Sequence, residues 1–261
     1  MIFDSLTVVY GSIVGFSLGL TGGGGSILAI PIFVYGLGIP MSQAVVMSLL
    51  MVASIALVGT TRQSFSRNVD WRVAILFSLT GMIISPLVIY IAHDVNETLR
   101  LILFAILMLF VAYKMAFSVQ KNPAPTNALS VYQPSAIKTA MGGAAAGALS
   151  GFFGVGGGFI IVPLLIMIFA MPYRKAVSTS LAAIFLISTT AVAGAYLKGS
   201  AFDWGLFTLF VAGGLAGMFA GTALINFIPE RMAKIMFSAI TALLAVGMLV
   251  DKLFLHQGGS L

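Results

Sequence analysis

Ten stretches of the chain are dominated by apolar residues, and the polar residues collect between them. They are Leu6–Leu20, Ile27–Leu37, Met41–Thr61, Val73–Ile91 and Leu99–Phe117, then Ile137–Phe153, Phe159–Ala170, Val177–Tyr196, Trp204–Ile225 and Arg231–Val250. A helix that crosses a hydrocarbon core about 30 Å thick needs roughly 20 such residues. The two short stretches, Ile27–Leu37 and Phe159–Ala170, predict half helices or re-entrant segments instead. The pattern therefore predicts an all-α polytopic membrane protein of eight to ten membrane segments, depending on how the short ones are counted. A polar linker, Ser118–Ser135, holds Lys121, Asn122, Pro123, Pro125, Asn127 and Pro134. It separates a first membrane repeat (1–117) from a second (137–261), with 118–136 as the connection.

The two halves repeat one another. At an offset of 132, Gly11, Gly15 and Gly19 match Gly143, Gly147 and Gly151, and Gly22, Gly24 and Gly25 match Gly154, Gly156 and Gly157. Pro31 and Pro40 match Pro163 and Pro172, and Ala44, Val45, Ser48 and Leu49 match Ala176, Val177, Ser180 and Leu181. One residue is then gained, so that Asp70-Trp71, Gly81 and Glu97 match Asp203-Trp204, Gly214 and Glu230 at an offset of 133. Paired repeats of this kind characterise secondary transporters.

Composition agrees with the pattern. Of 261 residues 60% are hydrophobic and only 8% charged, with a mean hydropathy of +1.11, whereas a soluble domain carries about 25% charged residues. The net charge of +6 is read as cytoplasmic loop charge, not as a nucleic-acid-binding surface. If each repeat crosses the membrane an odd number of times, ten cations (Arg62, Arg67, Arg72, Lys114, Lys121, Lys138, Arg174, Lys175, Arg231, Lys234) share one side and Arg100, Lys198 and Lys252 the other. Even numbers of crossings give the less biased split of 8 to 5. The positive-inside rule selects the odd number. It predicts inverted repeats and both termini outside the cytoplasm, in an inner membrane. The N-terminus lacks the basic segment of a signal peptide, so the first apolar stretch is read as retained.

The chemistry concentrates at two glycine runs, Thr21-Gly22-Gly23-Gly24-Gly25-Ser26 and Gly154-Val155-Gly156-Gly157-Gly158. Each glycine costs about 1 kcal/mol against alanine in a helix, so the runs must interrupt helical structure. Irregular backbone at membrane depth persists only where protein or a watery cavity satisfies its polar groups. A short helix should restart near Ser26 and near Phe159, its first N–H groups unpaired and carrying the positive dipole end. The breaks would form facing cradles for a small anion near the midplane. The expected lining is Gly22, Gly23, Gly24, Gly25, Ser26, Gln43 and Ser48 from the first half, with Gly154, Gly156, Gly157, Gly158, Ser178, Thr179 and Ser180 from the second. The ladders Gly11, Gly15, Gly19 and Gly213, Gly217, Gly221 read as helix-packing faces.

Other polar residues have structural readings. Asp70 and Asp203 suit N-caps, Trp71 and Trp204 suit the membrane interface, and Glu97 and Glu230 suit the first turn of a helix. Arg174 and Lys175 read as positive-inside determinants. His93 and His256 do not form a metal site. The glycine runs lack the Lys-Ser/Thr of a nucleotide-binding loop. With no cysteine and no paired catalytic carboxylates, the sequence predicts neither an enzyme nor a bound cofactor.

In its paired motifs the chain resembles the sulfite exporter TauE/SafE family, also called toluene sulfonate uptake permeases. The resemblance rests on Gly154-Val155-Gly156-Gly157-Gly158 with Pro163, Pro172 and Ala176-Val177-Ser178-Thr179-Ser180-Leu181, and on Gly22 to Gly25 with Pro31, Pro40 and Ala44 to Leu49. The first half departs at Met47, where the second has Thr179. The resemblance implies a secondary transporter of small sulfur-containing anions such as sulfite, sulfoacetate and other organosulfonates. The expected mechanism is alternating access, one repeat rocking against the other. A passive anion channel and a non-transporting membrane scaffold remain the alternatives. Direction, coupling ion and a homo-oligomeric state stay open.

Overall fold

The computed structural model describes residues 2–65, 69–92, 95–116, 136–154, 158–169, 171–197, 203–224 and 230–251. The linker, Gly156, Gly157, His93 and His256 lie outside these residues, as does the side chain of Glu230. The described residues are helical and carry no strand. The helices are α1 (Ile2–Thr21), α2 (Gly24–Pro31), α3 (Met41–Phe65), α4 (Trp71–Ala92), α5 (Glu97–Ala116), α6 (Ala136–Phe153), α7 (Gly158–Phe169), α8 (Tyr173–Leu197), α9 (Trp204–Leu224) and α10 (Glu230–Val250). Each coincides with one of the ten apolar stretches. By length and composition α3, α4, α9 and most of α8 are able to cross a membrane. At 8 and 12 residues, α2 and α7 rise only about 12 and 18 Å, too short to span a bilayer core alone.

Local chemistry explains where the helices begin. The Asp70 carboxylate accepts from Val73 N at 3.3 Å, and that of Asp203 accepts from Gly205 N at 2.8 Å and Leu206 N at 3.1 Å. These are the expected N-caps. Asn96 caps α5 through Thr98 N at 2.9 Å and Leu99 N at 3.3 Å. Glu97, expected only to favour the α5 dipole, also accepts from Met41 N at 2.8 Å and so ties the start of α3 to the start of α5.

The first glycine run reverses the chain instead of merely interrupting a helix. A Cβ on Gly25 would lie 2.8 Å from Leu18 Cα, and one on Gly36 would lie 3.2 Å from the Tyr10 ring. The segment after the break thus runs back alongside α1 as a helical hairpin. Pro31 has no N–H to donate within its helix. Past it the backbone widens into a π-turn over Ile32–Gly36, closed by Leu37 N to Ile32 O at 3.0 Å. The restarts fall at Gly24 and Gly158, slightly before the expected Ser26 and Phe159.

The glycine ladders join one half of the chain to the other. A Cβ on Gly15 would lie 2.7 Å from Gly214 Cα, and one on Gly19 would lie 2.6 Å from Met218 O. The α9 side is equally tight, with Gly217 against Ser12 and Phe16 and Gly221 against Phe16 and Leu20. α1 and α9 therefore run side by side in the same direction, backbone against backbone. The second half repeats the arrangement: Gly143, Gly147 and Gly151 of α6 lie on Phe77, Gly81 and Ser85 of α4. In each pair a third helix joins, α3 through Ile55 against Gly214 and α8 through Ile187 against Gly81. The result is two interleaved groups, α1–α9–α3 and α6–α4–α8, each drawn from both halves. α3 packs on α8 between the groups, and α5 packs on α10.

The remaining faces are apolar and open. Val9, Ile13, Leu79, Ile83, Leu87, Ile91, Ile106, Phe110 and Leu243 are all exposed, as residues facing lipid would be.

Gly15→Ala and Gly147→Ala should each cost on the order of 1–3 kcal/mol through forced backbone separation. Gly247→Ala, where nothing lies within 4 Å of the added methyl, should be neutral or slightly stabilising. Thermal unfolding of the purified variants checks both; equal melting temperatures for all three would refute the ladder packing.

Candidate functional site

Gly22 and Gly154 close α1 and α6. Both have left-handed backbone, φ 71° and φ 72°, which glycine adopts without steric cost. Gly22 N still reaches Leu18 O at 2.8 Å, and Gly154 N reaches Ser150 O at 2.9 Å, so each is a helix-ending residue of the αL kind. Space adds a second restriction. A Cβ on Gly22 would meet Val177 Cα at 2.7 Å, and one on Gly154 would meet Val45 Cα at 2.6 Å.

The carbonyls at these ends receive their partners from the opposite half. Ser180 Oγ donates to Gly22 O at 2.6 Å, sharing its one proton with Val177 O at 2.8 Å. Ser48 Oγ donates to Gly154 O and, at 3.0 Å, to Val45 O. Each break is thus braced by the serine that matches the other's brace across the repeat. Between them Gly23 meets Gly158: a Cβ on Gly23 would lie 2.9 Å from Gly158 Cα. Ser26 Oγ, fully buried, donates back to Gly23 O at 2.7 Å.

The expected site residues divide accordingly. Gly22, Gly23, Gly25, Ser26, Ser48, Gly154, Gly158 and Ser180 gather at the two breaks and are buried. Gly24 is the first residue of α2. Thr179 is buried but faces the start of α4, where its Oγ1 accepts from Asp70 N at 3.0 Å. Ser178 donates to Arg174 O at 3.0 Å, one turn back in its own helix. Gln43 is exposed in the first turn of α3, apart from the buried group. Lys175, at the matching position, pairs with Asp70 at 3.1 Å, a link between α8 and α4 at the surface.

The hairpin changes the electrostatics expected of the break. It places the negative end of the α1 dipole beside the positive end of α2, so helix dipoles alone give a weaker anion site than an isolated N-terminus would. The second break differs, because a full cation sits there. Arg100 was assigned by charge counting to the less basic side of the membrane, but the structure buries it in the first turn of α5, 5% exposed. Its Nη2 donates to Phe152 O at 2.6 Å, and its guanidinium lies 5.7 Å from the Phe152 ring centre. Its Nε is buried without a hydrogen-bond partner. A signal existed in the sequence: Leu99-Arg100-Leu101-Ile102 sets a charge inside an apolar run. What it faces could not be read there.

A family model described as sulfite exporter TauE/SafE matches residues 7–248. A "probable membrane transporter protein" of Xylella fastidiosa (strain 9a5c) is 36% identical over 229 residues, 86% of each chain. The "probable membrane transporter protein YunE" of Bacillus subtilis (strain 168) is 23% identical, over 95% of this chain and 98% of its own. A third, "probable membrane transporter protein MJ0441" of Methanocaldococcus jannaschii, is 29% identical over 70% of this chain and 68% of its own. No solved structure matches the chain.

Ser48→Ala and Ser180→Ala should destabilise the protein to a similar degree, by roughly 0.6–2 kcal/mol each, the range of buried hydrogen bonds in membrane proteins. Chemical or thermal unfolding in detergent measures this. An effect confined to one variant would show that the two braces are not equivalent.

Proposed function

This chain belongs to the sulfite exporter TauE/SafE family of membrane transporters, and from that premise we propose that it is a secondary carrier of a small anion, sulfite or an organosulfonate. The anion is held between the two glycine breaks, and access to it alternates between the two sides of the inner membrane. The observation that carries this reading is the reciprocal bracing of the breaks, Ser180 on Gly22 and Ser48 on Gly154. A site built from two equivalent interruptions that exchange partners is what inverted-repeat carriers use at their centre. An inverted relation between the halves, with both termini outside the cytoplasm, belongs to this reading and rests on the one-sided distribution of Lys and Arg.

The packing revises which bodies move. Rocking one sequence half against the other would tear both glycine ladders apart. The ladders instead favour motion of the mixed group α1–α9–α3 against α6–α4–α8. Gly23 and Gly158 meet where the two groups adjoin, and parting them would open room for substrate between the backbones. In this scheme the N–H groups heading α2 and α7 supply uncharged donors, and Ser26, Ser48 and Ser180, whose single protons go to the carbonyls of Gly23, Gly154 and Gly22, hold the backbone that presents them.

Counterflow tests the reading without knowledge of a coupling ion. Proteoliposomes loaded with unlabelled sulfite or a small organosulfonate should transiently accumulate the labelled anion from outside, and the uptake should saturate. Flux without saturation or counterflow would assign a passive channel. No flux from folded protein, across a panel of small anions, would leave the breaks as packing devices in a scaffold.

A further inference from the structure

We propose that Arg100 is the specificity-determining cation of this transporter, gripping two oxygens of the carried oxyanion through its guanidinium fork beside Gly154. This role rests on the transport reading above.

Three observations converge on it. The side chain is buried, and the carboxylate that acts on it, Glu97 one turn back in α5, lies beyond ion-pair distance. Burying a cation without a hydrogen-bonded counter-ion is expensive, and a transient anionic partner would relieve that cost. The guanidinium is also oriented. The Phe152 carbonyl fixes Nη2 at 2.6 Å while Nε has no partner, which leaves a donor ready on a side chain already held in place. Finally, the surroundings suit a desolvated ion contact. The Phe152 ring lies beside the guanidinium, edge-on to Phe153 at 4.7 Å, and Phe153 in turn lies 5.4 Å from Phe104.

The bond to Phe152 O has an electrostatic consequence as well. Phe152 is in the last turn of α6, whose carbonyls carry the negative end of that helix's dipole. Arg100 offsets this negative end next to Gly154, where it would otherwise repel an anion approaching α7. At the first break the position matching Arg100 is Ala233. Two neighbouring positions show the same bias. Ser85 and Ser150, buried hydroxyls without partners on the packed helices α4 and α6, match Met218 and Leu18. At these three positions the two copies of the repeat differ in polarity. The geometry fits oxyanions that offer two oxygens to a fork, which sulfite, sulfonates and carboxylates do and halides do not.

The test is counterflow by the full chain in proteoliposomes with labelled sulfite, comparing wild type with Arg100→Gln and Arg100→Lys. Both replacements can still donate to Phe152 O; glutamine lacks the charge and lysine lacks the fork. Size-exclusion profiles and melting temperatures establish folding. Losing a charged hydrogen bond to substrate should raise KM roughly tenfold to a hundredfold in Arg100→Gln, and at least severalfold in Arg100→Lys. Arg72→Gln, an exposed cation on α4, should leave KM unchanged. A KM within twofold of wild type in either folded Arg100 variant overturns the inference and leaves the transport reading standing. If glutamine prevents folding, the lysine variant alone decides. A wild-type protein that carries no small anion overturns both.

Discussion

A helix that ends inside an apolar protein must find partners for its last carbonyls, and this constraint organises the molecule. α1 and α6 end at Gly22 and Gly154, where water is not at hand and the chain must turn sharply. The carbonyls are satisfied by Ser180 and Ser48, each reaching over from the opposite half. Neither half satisfies its own break, so the halves can only fold against one another. The left-handed glycines, the clearance over Val177 and Val45, and the close approach of Gly23 to Gly158 follow from the same requirement. The glycine ladders extend it along the helices, since they let α1 lie on α9 and α6 on α4 at backbone distance.

Duplication also permits departures from symmetry. One copy of each structural element is enough to keep the scaffold, so matching positions are free to differ chemically. Lys175 and Thr179 tie α8 to Asp70 at the start of α4. Their counterparts, Gln43 and Met47, cannot form the same link. Arg100 matches Ala233, and Ser150 matches Leu18. The backbone braces are kept in both halves, while at these positions one copy keeps a charge or a hydroxyl that the other lacks. For a carrier this separates two tasks. In the proposed carrier, the symmetric frame would allow two equivalent end states, and the asymmetric side chains would select what is carried.

The interleaving has a mechanical counterpart. Contacts between backbones across a glycine ladder depend steeply on distance, because many small dispersion terms and weak polar contacts are lost together. Helices joined in this way resist separation. Away from the breaks, the surfaces between the ladder-joined groups include side-chain contacts, such as Gly59 of α3 against the Leu181 side chain of α8. Sequence repeats and packed groups therefore do not coincide here, and in the proposed carrier the packed groups are the bodies that would move.

The sequence by itself determined the ten helices, their short and long members, the positions of both breaks and the capping aspartates. Each of these is a local property: an apolar run of given length, a glycine that tolerates left-handed backbone, a carboxylate one residue before a helix. It also pointed to Ser48 and Ser180 through their matching positions. The tertiary structure alone decided what those serines bond to, because hydroxyls three residues past Val45 and Val177 could equally have bonded only within their own helices. Between the half helix and the re-entrant segment that the first short stretch allowed, it selected a hairpin, because only packing shows that Gly25 returns to Leu18. It moved Gln43 out to the surface and Thr179 to Asp70. It drew Arg100 in from the membrane surface, since burial of a charge depends on neighbours more than 50 residues away in the chain, and no run of adjacent residues encodes them.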